Sequence, residues 1–210
     1  MYKVTMYQHG DYPNTGTVML DTSSGINKDL LTGIVDGQIS EPGSFTYSIA
    51  ANSELYDIAD PLKYYISVEE DGEEIFWGRI ISVQKNPLNF VKQITCEGAL
   101  AFLLDSELEI NKDGTSYTAE EYFRACIAAH NAGVDNDPCR VFSIGRIQNQ
   151  HSSERRVYKT NSYTQIQNCL KSELLDRYDG FLHVRRVNGS HVIDWVEQIG
   201  QTDPQPIQIT

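Results

Sequence analysis

The chain has 210 residues, 40% hydrophobic and 22% charged, with 29 acidic against 17 basic side chains and a formal net charge of −12. That length suffices for one large or two modest cores. The acidic balance argues against a nucleic-acid binder, which needs Lys and Arg facing phosphate, and no apolar run approaches a signal peptide or a membrane span.

Tyr2 to Tyr7 alternates as a short strand, Gly10 to Gly16 carries loop chemistry, and Val18 to Leu20 reads as a second strand before a turn over Asp21 to Asn27. Ile34 to Ser40 and Ser44 to Ala50 flank Glu41-Pro42-Gly43, a tight-turn tripeptide, so these two segments are expected to pair. Phe45, Tyr47 and Ile49 share one face of the second segment. Asn52 to Asp60 reads as a connector closed by Pro61. A three-strand meander follows: Tyr64 to Glu69, Glu74 to about Gln84, and Phe90 to about Glu97. Asp71-Gly72 suits the first turn because glycine accepts positive φ; Asn86, Pro87 and Asn89 punctuate the second. Phe76 and Trp77 are adjacent and must point to opposite faces. Gly78 beside them implies a bulge or a close backbone approach, and Arg79 is expected exposed or paired with an acid.

Ala99 to Leu104 is a short apolar helix, and a polar loop covers Asn111 to Ser116. A helix starts at Thr118, whose capping box closes on Glu121 while Tyr117 staples onto Tyr122. Tyr122, Phe123, Cys126, Ile127 and His130 form its apolar stripe, and it ends near Asn131-Ala132-Gly133. Asp135 to Pro138 is a loop, Val141, Phe142 and Ile144 suggest a strand, and Gln148 to Arg155 is an exposed loop. A second amphipathic helix fits Tyr163 to Arg177, capped by Ser162 with Gln165 and buried through Ile166, Cys169, Leu170 and Leu174. Phe181 to Val187 and His191 to Glu197 form a hairpin over Asn188-Gly189. In the tail GQTDPQPIQIT, Ile207 and Ile209 begin to alternate where the sequence stops, so a longer parent protein is expected.

The residues offer little chemistry. Cys96, Cys126, Cys139 and Cys169 include no CxxC pair and no histidine at a zinc-ligand spacing, and they read as small buried hydrophobes in a chain folded under reducing conditions. His9, His130, His151, His183 and His191 are scattered, with no HExxH, nucleophile elbow or phosphate loop. His130 suits a helix C-terminus. Glu69, Glu70, Asp71, Glu73 and Glu74 read as a solvated hairpin tip, and Asp135 and Asp137 as loop acids without the later ligands of a calcium loop. Arg155-Arg156 and Arg185-Arg186 are either solvated charge or contacts to an acidic neighbouring subunit. No catalytic, cofactor-binding or metal residue is expected.

The run YDIADPLKYYISVEEDGEEIFWGRIISVQKNPLNFVKQITCEGALAFLLDS, followed in order by AEEYFRACIAAHNAGVD, VFSIGRI and TQIQNCLKSELLDRYDGFLHVRR, resembles the N-terminal hub region of phage tail proteins. These are the tail-associated lysin or prophage tail endopeptidase-like family, related to the baseplate hub of contractile tails. The resemblance covers roughly residues 30 to 210 and leaves the first thirty unmatched. It implies an α+β chain: a β-rich, barrel-like hub domain over 1–104, a mixed α/β domain with the two helices over 105–180, and a hairpin opening a further β region over 181–210. It also implies a non-enzymatic homotrimeric ring that continues the tail tube in the virion, assembled in the host cytoplasm. Its partners would be the distal tail protein, the tape measure protein and distal fibre, receptor-binding or lysin modules. It would bind no specific nucleic acid, insert in no membrane and need no cofactor. An acidic bore would let DNA pass without sticking. Two other readings stand beside it: a cell-wall peptidase or muralytic domain, and a carbohydrate- or receptor-binding module stacking sugars on Trp77 or Trp195.

Overall fold

A computed structural model describes residues 1–28, 30–37, 40–86, 90–108, 114–148, 153–158 and 164–197. The Pro87-to-Asn89 loop, His151 with the middle of the loop around it, the Ser162 cap and the tail beyond 197 lie outside the described residues.

Eight strands form one antiparallel sheet: β1 (Tyr2–Gln8), β2 (Thr17–Asp21), β3 (Ile26–Asn27), β4 (Leu30–Asp36), β5 (Ser44–Ala50), β6 (Tyr64–Glu70), β7 (Glu73–Asn86) and β8 (Val91–Gly98). Their spatial order is β3-β2-β1-β6-β7-β8-β5-β4. β3 and β4 are therefore the two edges, yet only two residues separate them in sequence. A gap that short spans at most about 11 Å, so the sheet must curl until its edges meet at this corner. Asn27 clasps the corner: its Oδ1 accepts from the Leu30 N–H at 2.9 Å, and its Nδ2 donates to the Leu30 carbonyl at 3.3 Å. Beyond Leu30 the edges part, and the result is the curled half-barrel of an α+β fold.

The hairpin chemistry holds. Asp71 and Gly72 both take positive φ (51° and 85°), as do Asn188 and Gly189 (50° and 79°), the signature of the turn whose twist matches paired strands. β4 begins at Leu30 rather than Ile34, because a shift in register near Leu31 lets the strand start straight after the corner. Phe45, Tyr47 and Ile49 point inward with Val4, Met6, Met19, Ile66, Val68, Phe76, Ile80, Ile94 and Cys96 to fill the barrel. Gly78 and Gly98 are required by contact: a Cβ at Gly78 would sit 2.1 Å from the Glu97 carbonyl oxygen, and one at Gly98 would sit 1.7 Å from that of Pro42.

A 3₁₀ turn (Ala99–Leu104) leaves the barrel and leads to a second layer. This layer holds β9 (Glu107–Leu108), α1 (Ala119–Gly133), β10 (Ser143–Ile147), β11 (Thr164–Gln165), α2 (Ile166–Leu170), a π-helical turn (Lys171–Leu175), α3 (Asp176–Tyr178), β12 (Phe181–Val187) and β13 (Ser190–Val196). The Thr118–Glu121 capping box forms, and every residue of the expected α1 stripe is buried. The second helix starts at Ile166, three residues later than expected, because Thr164 and Gln165 pair with Leu108 and Glu107. No side chain caps it, and a π turn interrupts it. Val141 and Phe142 precede β10 rather than belonging to it. Asn131 substitutes for a strand there, donating to the Phe142 carbonyl and accepting from the Phe142 N–H, both at 2.9 Å. β10 runs parallel to β13, and β12 pairs antiparallel on the other side. No helix among the described residues is long and apolar enough to cross a membrane.

Candidate functional site

The two faces of β7 divide the molecule. Phe76 points into the barrel, while Trp77 points outward into a second core shared with Tyr7, Tyr65, Phe102, Phe123, Leu170 and Trp195. Trp77 is 4% exposed. Its ring lies 4.5 Å from those of Tyr12 and His191 and 5.7 Å from that of Tyr65, and its indole N–H donates to the Cys139 carbonyl at 3.0 Å. This is the seam between the layers. Trp77 and Trp195 are both buried, so neither presents a stacking platform to solvent.

A polar network runs along one side of the seam. Glu74, whose side chain is 3% exposed, meets His191 Nε2 at 3.0 Å and Arg186 at 3.5 Å, and it accepts from Ser67 Oγ at 2.8 Å. Arg186 also pairs with Glu69. The acidic hairpin is therefore not a uniformly solvated tip. Glu70, Asp71 and Glu73 face water, but a bulge at Ile75 breaks the alternation of β7 and sets Glu74 opposite Glu69, both under the second layer. The arginine doublets are likewise spent within the chain. Arg185 grips the fully buried Asp194 through two bonds of 2.6 and 3.1 Å, Arg155 meets Glu121, and Arg156 meets Glu154. Hydrogen bonds from Arg185 and the Arg146 backbone outweigh burial and hold the Asp194 carboxyl below its usual range.

On the other side of the seam, Asp137 is buried rather than a free loop acid. It accepts from Arg140 Nε at 2.8 Å, the Cys139 N–H at 3.0 Å and the Tyr65 hydroxyl at 3.4 Å, and His9 Nδ1 lies 3.2 Å away. His130 sits in the last turn of α1, as expected, and is fully buried there. Its Nε2 donates to the Arg140 carbonyl at 3.0 Å, so its Nδ1 accepts from Ser106 Oγ at 2.5 Å. Burial pushes its pKa down. Arg79 pairs with an acid as expected, in fact with two, Glu97 and Asp105. All four cysteines are free and buried. A cleft of about 420 Å³ between the β4–β5 turn, β7 and β12 is lined by Val35, Pro42, Trp77, Leu100 and His183, with Glu74 at its wall.

Among the described residues, nothing covers the rest of the outer sheet face. Across β4, β5, β8 and β7 the register sets two rows, Thr32–Ser48–Gln93–Gln84 and Ile34–Thr46–Thr95–Ser82. None of these eight side chains is charged, in a chain that is 22% charged. Charge on this face returns in the row Asp36–Ser44–Glu97–Arg79, where the second layer begins. Among the described residues β4 pairs only with β5 and leaves its outer edge open, with Leu31 and Ile34 53% and 69% exposed.

The fold as a whole superposes on solved prophage tail proteins. A prophage tail protein, gp18, from Listeria monocytogenes superposes with a TM-score of 0.59 at 16% identity, over 91% of this chain and 50% of that one. The 43 kDa tail protein of prophage MuSo2 from Shewanella oneidensis gives 0.53 at 12%, over 91% and 54%. A tail protein from Neisseria meningitidis gives 0.52 at 14%, over 91% and 50%. The chain thus spans about half the length of the solved structures it matches, and at these identities the likeness is one of fold. No family model matches the sequence, and no curated protein matches it.

Proposed function

We propose that this chain is a structural, non-enzymatic part of a phage or prophage tail tip: a hub segment that trimerises, continues the tail tube and connects it to distal fibre, receptor-binding or lysin modules. It would act in the virion beside the distal tail and tape measure proteins after assembly in the host cytoplasm. The observation that carries this reading is the pair of uncharged rows on the outer face beside the open β4 edge, on a fold shared with prophage tail proteins. A sheet face of Thr, Ser, Gln and Ile can be covered by a sister copy without desolvating an ion, and an unpaired edge offers backbone groups to a neighbouring strand. The internal pairing of all four doublet arginines moves the contact between copies away from these charges and onto the uncharged rows. The division at residues 104 and 180 is proposed as a division of labour, with the barrel forming the ring and the second layer its outer wall.

Light scattering of the chain over a range of concentrations tests the reading. A trimer, reduced to monomer by Ile34→Arg and Thr46→Arg, is expected. A monomer at every concentration, or a trimer indifferent to both substitutions, would refute it. Turnover of peptidoglycan abolished by one point substitution would favour a muralytic enzyme instead.

A further inference from the structure

His9, Asp137 and Cys139 each offer one donor atom, and the three donors lie within 4.8 Å of one another. We propose that they form a binding site for a zinc-class divalent cation, with solvent as the fourth ligand. This inference is independent of the assembly reading. The donor set is a nitrogen, a carboxylate oxygen and a sulfur, the mixture that zinc accepts and that magnesium and calcium do not. Tetrahedral zinc places its ligand atoms about 3.5 Å apart. His9 Nδ1 and Asp137 Oδ2 already stand at 3.2 Å.

The site is built asymmetrically. Asp137 and Cys139 are held rigidly: the Cys139 N–H donates to Asp137 Oδ1, and the Cys139 carbonyl accepts from Trp77. His9 follows β1 on the barrel side and its side chain is 59% exposed, so it is the ligand free to adjust toward the other two. Burial pushes the Cys139 thiol up to about 11, partly offset by the backbone N–H groups of Gly10 and Tyr12, so a cation that binds must displace its proton. Arg140 competes for Asp137 Oδ2 at 2.8 Å, but Asp105 stands 3.7 Å from the same guanidinium as a second acceptor. A cation here would tie the loop after β1 to the loop after α1, closing the seam at one end.

The chain, stripped with a chelator under reducing conditions, is titrated with zinc against a chromophoric competitor and with cobalt as a spectroscopic probe. Cys139→Ser is nearly isosteric, and His9→Ala alters an exposed side chain, so folding is retained in at least the second. One equivalent of zinc is expected, with affinity falling more than about tenfold in each variant. Cobalt is expected to give a thiolate charge-transfer band that vanishes in Cys139→Ser. Absence of the band in the unaltered chain, or equal zinc affinity in His9→Ala, would overturn the site.

Discussion

Replacing Trp77 with alanine tests the seam directly. The ring is buried among Tyr7, Tyr12, Tyr65 and His191, and its N–H satisfies the Cys139 carbonyl. Truncating a buried tryptophan costs about 3–5 kcal/mol through lost burial and the cavity left behind. The upper end applies here, because a carbonyl also loses its donor. Trp77→Phe keeps most of the ring and loses the donor, and should cost about 1–2 kcal/mol. With a urea slope of about 2 kcal/mol per molar, the alanine variant should unfold about 2 M earlier. Urea unfolding followed by tryptophan fluorescence and far-ultraviolet circular dichroism gives both numbers. Trp195 is the only tryptophan left in the variant, and it reports the second layer, while the dichroism sums over the strands of the barrel and the helices of the second layer. A loss below about 1 kcal/mol would refute the claim that this ring joins the layers. Separation of the two transitions in the alanine variant alone would support it further.

Four other outcomes are expected. Gly98→Ala should destabilise severely in a thermal melt, because the added carbon meets the Pro42 carbonyl at 1.7 Å in a turn tied to Gly98 by its N–H bond to the Gly43 carbonyl; Gly72→Ala, with open space around it, should show only its φ strain. Asp194→Asn should cost about 3 kcal/mol in urea unfolding, the low end for a broken buried pair, since Arg185 is a third exposed and retains water. His130 and His183 have pKa values lowered by burial, so their neutral forms favour the fold; stability should be full above the ordinary histidine pKa of about 6.5 and fall as pH drops through the folded values, and His183→Gln should shrink that slope. Thr118→Ala should cost about 1 kcal/mol by opening the capping box.

Local chemistry was legible from the residues alone. The turn dipeptides, the capping box, the α1 stripe and the opposite facing of Phe76 and Trp77 depend on neighbours within a few positions, where periodicity and φ preference decide. The glycine at 78 signalled a close approach, though not its partner. What the sequence could not show was which charges would meet. Glu69 and Glu74 look like tip acids until β12 and β13 supply Arg186 and His191; Asp137 looks like a loop acid until His9 and Tyr65 arrive from the barrel. Desolvation is a property of what packs on top, and these partners lie more than seventy residues away. The curl of the sheet was expected only through the resemblance to a barrel-like domain; no local pattern carries it. It follows from the two-residue step between opposite edge strands, a constraint that appears only once the strand order is known.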